Sequence, residues 1–484
     1  MRPILNFSLT GFVLWMLFTT VACKKESVNT DPALKLEFST DTVLFDTVFT
    51  TVGSITQQLK IYNRNNAKVK ISEIRLGKGT GSAYKINIDG YSSTQVADVE
   101  LDAGDSLYVF VKVIIDPTNQ NSPLVVTDSL ICTTNGNVQD VKLVAWGQDA
   151  YYHTPDHFPT DFPAYSIINC NDVWTNDKPH LIYGMAVVDS ACTLTIQEGA
   201  KVYFHNNGIL MVYKDGSLKV NGSAENKVLF RNDRLDELYK DLPGQWNGIW
   251  LSEGSLNNEI NHALIQNGTL GIQVDITGES ANPGLVLNNT RIENMKLGGL
   301  SCNATSVSSV NCAFVNCGEY AVALNGGLYN FRHATIGNFW SSSTRQTPSL
   351  VLKNYYVNPP NEVVNVTPSE VYFGNSIIYG NLEDELLIGI QPEGTSFLYT
   401  FDHCLVRTLM NTSDFNIFKN CLVNEDPLFV DVGKMNVEPD SLSPARSFGI
   451  PLEVETDYYG RARDVTPDLG AFETQFGLSR KIKK

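Results

Sequence analysis

Residues 289–294 read Asn-Thr-Arg-Ile-Glu-Asn, and residues 311–316 read Asn-Cys-Ala-Phe-Val-Asn. The same frame recurs at His262–Asn267 and at His333–Asn338. It starts on Asn or His, places an apolar residue fourth and ends on Asn. The start-to-start steps are 27, 22 and 22 residues, and a degraded copy, Asn375 to Gly380, begins 42 residues later. Each unit is followed by another short apolar run, such as Gly271-Ile272-Gln273-Val274 or Tyr320 to Leu324. A period near 22 with short strands and no helical spacing is what one turn of a parallel β-helix requires. A single coil cannot bury its inward side chains. Stacked coils turn them into continuous columns of Ile, Val, Leu and Phe, with parallel sheets hydrogen-bonded along the axis. Asn tolerates the left-handed backbone of tight corners, and stacked amides bond from coil to coil. Asn267, Asn294, Asn316 and Asn338 are therefore expected to form a corner ladder. A leucine-rich horseshoe is excluded, because its Leu-x-x-Leu-x-Leu frame is missing.

The chain has 484 residues, 43% of them apolar and 18% charged, enough for sizeable cores. Its 36 basic and 52 acidic residues leave a net charge of −16, which argues against a nucleic-acid partner. Beyond Cys23, eight cysteines are scattered without any C-x-x-C, and most are expected to act as small apolar fillers of the coils. His153 and His157 have the i, i+4 spacing of a helical metal site, but Pro155 and Pro159 interleave them. No metal is expected there, nor any cofactor elsewhere.

Before the repeats, residues 34–148 alternate with a period of two. Leu107, Val109, Val111, Val113 and Ile115 form one apolar row, and turn signals such as Asp89-Gly90 and Asn135-Gly136-Asn137 separate similar runs. About seven short strands in such a length predict a β-sandwich. Residues 149–165, rich in proline and aromatics, read as a stiff linker. Its aromatics are expected to pack against the sandwich or cover the end of the solenoid. The solenoid is assigned to residues 166–475, followed by a basic tail at 476–484. The fold class predicted is thus all-β: an immunoglobulin-like sandwich, then a parallel β-helix.

The amino terminus carries Arg2, an apolar core from Leu9 to Phe18, and Thr20-Val21-Ala22-Cys23. The core is too short to span a bilayer comfortably. The small residue before a cysteine resembles the lipobox of bacterial lipoproteins. That resemblance implies a signal peptide at 1–22, cleavage before Cys23 and lipid attachment to it. Residues 23–33 then form a polar tether. Lys24, where inner-membrane sorting uses Asp, points to the outer membrane.

Phe45-Asp46-Thr47-Val48 through Lys60 to Asn65 resembles the opening of bacterial immunoglobulin-like domains related to the ASH group. Thr195-Ile196-Gln197-Glu198-Gly199-Ala200-Lys201-Val202, Gln245-Trp246-Asn247-Gly248-Ile249-Trp250 and the closing Pro467-Asp468-Leu469-Gly470-Ala471-Phe472-Glu473 resemble right-handed parallel β-helix lipoproteins common in Bacteroidota. The resemblance implies a lipid-anchored cell-envelope protein, on the surface or the periplasmic face of the outer membrane. Its members include binding proteins and adhesins as well as polysaccharide lyases and glycosidases. The function expected is non-catalytic binding or scaffolding of glycan or envelope protein. The alternative is a carbohydrate-active enzyme, with calcium entering only for a lyase.

No carboxylate or basic column emerges at a constant phase of the repeat. Glu293 shares its phase with Gln266, Val315 and Gly337, and Arg291 shares its phase with Leu264, Ala313 and Thr335. No catalytic residue is therefore assigned. Asp275 is placed in a loop without a visible partner, and Glu383-Asp384-Glu385 is read as a solvated loop. The largest interruption of the repeat, residues 339–370, carries Trp340, Arg345, Lys353, Tyr355 and Tyr356. Aromatics beside polar groups suit carbohydrate stacking, which makes these five the candidate ligand contacts. A second excursion, from Asn232 to Gln245, is expected to form a short surface helix capped by Asp233.

Overall fold

The computed structural model describes residues 27–117, 124–276, 283–358, 363–391 and 396–474. Cys23, residues 1–22 and the tail at 476–484 lie outside the described residues. The chain divides after Gln148 into two compact units.

The first unit is a sandwich of two five-stranded sheets. Pairings are antiparallel, except that Thr42–Phe49 runs parallel to Asn137–Gln148. Period-two alternation sets its core. In Ser106–Val113, Leu107, Val109, Val111 and Val113 point inward, while Tyr108 and Phe110 face solvent. Buried Asn63 donates through Nδ2 to the carbonyls of Ala67 (2.9 Å), Leu101 (3.0 Å) and Asp102 (2.9 Å), tying two turns together. Such a buried amide is tolerated because its donors are satisfied.

The second unit is a right-handed parallel β-helix. Three columns of strands recur in each coil. The first column contains Tyr165–Ile167, Met185–Val188, Ile209–Val212, Gly248–Leu251 and Leu270–Asp275, and ends with Leu350–Lys353 and Leu386–Gly389. The second runs from Val173–Trp174 through Thr193–Gln197 and Ser217–Asn221 to Phe397–Asp402 and Phe418–Lys419. Gly298–Val310 and Tyr320–Arg332 pass without interruption from the first column into the second. The third forms an eleven-stranded sheet from Tyr151–His153 to Leu422–Val423.

The repeat phases match the observed register: Arg291 pairs with Leu264 and Ala313, and Glu293 with Gln266 and Val315. Inward columns fill the interior, and the second column ends in stacked rings. Phe331, Phe373, Phe401 and Phe418 follow one another at centroid spacings of 4.8, 5.6 and 5.4 Å.

Two polar ladders fix the corners of the third column. His262, Asn289, Asn311, His333, Asn375, His403 and Asn420 all have positive φ. Asn311 Nδ2 donates to Asn289 Oδ1 at 3.0 Å, and Asn375 Nδ2 lies 3.1 Å from His333 Nε2. At the other corner Asn294 Nδ2 donates to Asn267 Oδ1 at 2.8 Å. Asn316 shares the left-handed backbone of these two, but Asn338 does not. Asn338 instead brackets Cys317, accepting its N–H and donating to its carbonyl, both at 3.0 Å. The long excursion after Asn338 leaves no regular corner for it to occupy.

Three expectations are corrected here. Residues 149–165 are not a linker: Tyr151–His153 pairs in parallel with His180–Ile182, and Tyr165 opens a strand paired with Met185–Val188, so the segment is the first coil. The excursion from Asn232 to Gln245 forms turns rather than a helix, and Asp233 binds His205 Nδ1 at 2.7 Å. Glu385 is not solvated but fully buried.

The closing segment decides which outer face stays open. Tyr458, Ala471, Phe472 and Val437 pack on Ala313 and Val315 of the third column, and Ala445 and Leu469 on Ile377 and Leu405. Arg463 pairs with Glu473 at 3.0 Å and donates to Asn311 Oδ1 at 2.7 Å, locking that segment to the corner ladder.

Candidate functional site

Insertions leave the coil mainly at the two corners flanking the first column. Among the described residues, 233–247 and 339–349 precede its strands, and the hairpin that begins at Tyr355 follows one. The outer face of this column lies beside these segments. Its outward row reads Ile167, Val187, Met211, Trp250 and Gln273, one residue per coil in register. Ile249 and Leu251 face the core, so strand alternation drives Trp250 outward. Trp246 of the same sequence stretch is buried instead, stacked on Phe204 at 3.9 Å.

On this face lies an open groove of about 880 Å³ lined by Met211, Tyr213, Lys214, Trp250, Glu253, Gln273, Asp275, Asn303, Tyr356 and Val357, among others. An adjoining hollow of about 480 Å³ shares Met211 and Tyr213 and extends over Val187 to Phe162 and Tyr165. The volume lies in the range of ligand-binding clefts.

Asp275 organises the groove. It ends the strand Leu270–Asp275 rather than lying in a loop. Its Oδ2 accepts the Trp250 indole N–H at 2.7 Å and the Gln273 amide at 2.8 Å, and its Oδ1 accepts from Asn303 Nδ2 at 2.9 Å. Asn325 Nδ2 donates to Asn303 Oδ1 at 3.1 Å, carrying the chain one coil further. The carboxylate thus fixes the Trp250 ring, which leaves its apolar face to the groove. Both its oxygens are engaged.

The five residues singled out in the interruption separate into two groups. Arg345 is a structural clamp, not a ligand contact. Its guanidinium donates to Glu385 Oε2 at 2.8 Å and Oε1 at 2.5 Å, and also to Asn381 Oδ1 at 2.6 Å, with side-chain exposures of 1% for Arg345 and 0% for Glu385. Trp340 is 4% exposed and donates to Ser343 Oγ at 2.9 Å, so it cannot offer a ring face to a bulky ligand. Lys353 and Tyr355 are half-buried neighbours, the ammonium 5.4 Å from the ring centroid. Tyr356 reaches the groove: Tyr355–Asn358 pairs antiparallel with Val363–Val366 as a hairpin, and Tyr356 with Val357 lines the groove beside Asn303.

Sequence reasoning missed Trp250, Asp275, Met211 and Tyr213. A tryptophan between two inward residues of a strand was a usable signal. The approach of the hairpin was not, because no local pattern encodes it. Among the described residues no group of three or more His, Cys, Asp or Glu stands close enough to hold a metal ion.

No protein-family model matches the chain, and no curated protein matches it. Among solved structures it is similar to an ASH/PapD-like domain of human CEP192, at 10% identity and a TM-score of 0.17, over 26% of this chain and 92% of that one. It is also similar to a family 123 glycoside hydrolase from Clostridium perfringens, at 7% identity and a TM-score of 0.18, over 25% of this chain and 30% of that one. The catalytic domain of a GH87 alpha-1,3-glucanase in complex with nigerose matches at 10% identity and a TM-score of 0.21, over 72% of this chain and 81% of that one. None of these likenesses decides what this chain binds.

Proposed function

We propose that this chain is a glycan-binding protein of the cell envelope, and that a polysaccharide strand lies along the first-column groove. The observation that carries the reading is Trp250, fixed by Asp275 and flanked by Met211, Tyr213 and Tyr356 on an open groove. Sugar rings offer C–H faces to aromatic surfaces and hydroxyls to amides and carboxylates, and Gln273, Asn303 and Glu253 supply the latter here. Glu253 and Asp275 outnumber Lys214 along the main groove, and the chain as a whole carries −16. A neutral glycan fits this field better than a uronic acid polymer, because like charges slow approach.

The alternative, glycoside hydrolysis, has Glu253 and Asp275 as the carboxyl groups available in the groove. Hydrolysis needs one carboxyl poised to give up a proton. Asp275 already accepts three hydrogen bonds, from Trp250, Gln273 and Asn303, so both its oxygens are committed to fixing the groove, which favours binding. Cys23 with the apolar segment before it supports anchorage by lipid, each buried CH₂ contributing ~0.8 kcal/mol. Outer-membrane placement rests on Lys24.

The test is affinity electrophoresis and calorimetry of the purified chain against neutral glucans, xylans and mannans and against an acidic uronan. Retardation by a neutral polymer, weakened about tenfold in Trp250→Ala, is expected. New reducing or unsaturated ends would overturn the non-catalytic reading. Equal retardation of wild type and Trp250→Ala would overturn the groove assignment.

A further inference from the structure

The cysteines divide by how they are placed. Cys302, Cys312 and Cys317 are buried in the solenoid core, and Cys132 in the sandwich core. Cys170 and Cys192 stand one coil apart, 22 residues in sequence, with Cα atoms 4.8 Å apart and a disulfide between them. They tie the first coil to the next.

Cys404 and Cys421 repeat that relation at the opposite end. Each directly precedes a strand of the third column, Leu405–Val406 and Leu422–Val423, and these strands pair with Leu405 opposite Leu422. The Leu422 N–H donates to the Cys404 carbonyl at 2.8 Å. Cys404 therefore lies one step along the solenoid axis from Cys421, about 4.8 Å, within the Cα separation that a disulfide spans. Their side chains point the same way. Cys404 Sγ lies 3.3 Å from the Phe373 carbonyl, Cys421 Sγ lies 3.3 Å from the Phe401 carbonyl, and the two thiols hydrogen-bond each other.

We propose that Cys404 and Cys421 form a second coil-to-coil disulfide site, closed by exchange with a protein or small-molecule disulfide. Cys421, the half-buried partner, attacks first. Its thiolate bonds to one sulfur of the oxidant, the oxidant S–S bond breaks, and one oxidant thiol leaves. Cys404 then bonds to Cys421 Sγ and displaces the second oxidant thiol. Two cysteine thiols lose two electrons, the oxidant becomes two thiols, and the two cysteine protons pass to them. The hydrogen bond from Cys404 holds the Cys421 thiol below its ordinary value, whereas burial pushes Cys404 well above its own, which fits this order of attack.

The position makes physical sense. The last coil has a coil neighbour on one side alone, and its strands Phe418–Lys419 and Leu422–Val423 are two residues long. Terminal repeats of a solenoid fray unless they are capped.

The test uses the full chain equilibrated in a glutathione buffer poised to keep Cys170–Cys192 closed, then acid-quenched, unfolded, alkylated and digested without reduction. The expected result is a peptide pair joined through Cys404 and Cys421, with alkylation of the six free cysteines described here falling to four. Alkylation of both as free thiols, or linkage of either to another cysteine, would overturn the proposal. A second readout is amide exchange at Leu405 and Leu422, expected to slow about tenfold on oxidation of wild type and not at all in Cys421→Ser. Identical exchange in oxidised and reduced wild type would remove the stapling role.

Discussion

At the scale of single residues, an ion pair and an anchored ring carry the argument. Arg345 and Glu385 are both buried and joined by two hydrogen bonds. Removing one charge leaves the other without compensation in a low-dielectric interior, a loss of about 3–5 kcal/mol. Glu385→Gln should lower the denaturation midpoint accordingly while leaving glycan affinity of the folded fraction unchanged; a loss of affinity without a loss of stability would restore Arg345 as a ligand contact. Asp275→Ala is expected to do the opposite. It frees the Trp250 indole N–H and should weaken glycan binding several-fold with little change in unfolding midpoint, because Trp250 and Gln273 sit at the surface. The sequence displayed these residues but not their roles. Arg345 and Glu385 are 40 positions apart, and a buried pair looks the same in sequence as two solvated charges. Trp250 was legible in principle from strand alternation, whereas its partner Asp275 was hidden until the register was known.

At the scale of elements, the first coil is held by a stack of rings with a pH dependence of its own. His153, Trp174 and His180 stack at centroid distances of 4.6 and 4.2 Å, and His153 Nε2 lies 3.0 Å from His180 Nδ1. Burial pushes His153 down to about 4, and burial together with the neighbouring imidazole pushes His180 down to about 3. Both rings are therefore neutral in the folded coil at physiological pH. Above pH ~6.5 neither state binds protons and these groups contribute nothing to pH dependence. As pH falls from ~6.5 toward 4 the unfolded chain gains protons that the folded coil does not, so stability drops across that window. Each unit of difference corresponds to about 1.4 kcal/mol. Amide exchange of Tyr151–His153 and His180–Ile182 should accelerate between pH 6.5 and 4 before the remaining coils respond. Uniform acceleration along the solenoid would contradict this. Gly248 makes a second element-scale prediction. Its φ is +139°, and a Cβ there would lie 2.0 Å from the Leu270 carbonyl oxygen. Gly248→Ala should destabilise the chain by at least about 1–3 kcal/mol, measured by denaturant unfolding.

At the scale of the whole molecule, the solenoid was legible because its inward columns repeat at fixed phase. Ile265, Ile292 and Phe314 pair as the spacing requires. The sandwich was legible through rows such as Leu107 to Val113. What escaped the sequence lies where the period breaks. Residues 149–165 carry prolines and no repeat frame, yet their strands are set by pairing with the coil above them. The groove exists because the hairpin that carries Tyr356 and Val357 comes beside Met211, Trp250 and Asn303, a tertiary outcome with no local signal. A polysaccharide strand in this groove should leave an axial footprint along successive coils. The most direct measurement is hydroxyl-radical footprinting of the full chain with and without the neutral polysaccharide it retains best. Protection should be confined to Met211, Tyr213, Trp250 and Tyr356 and to Phe162 and Tyr165 in the adjoining hollow. Protection confined to the sandwich, or binding that leaves Trp250 and Met211 as reactive as in the free chain, would contradict it.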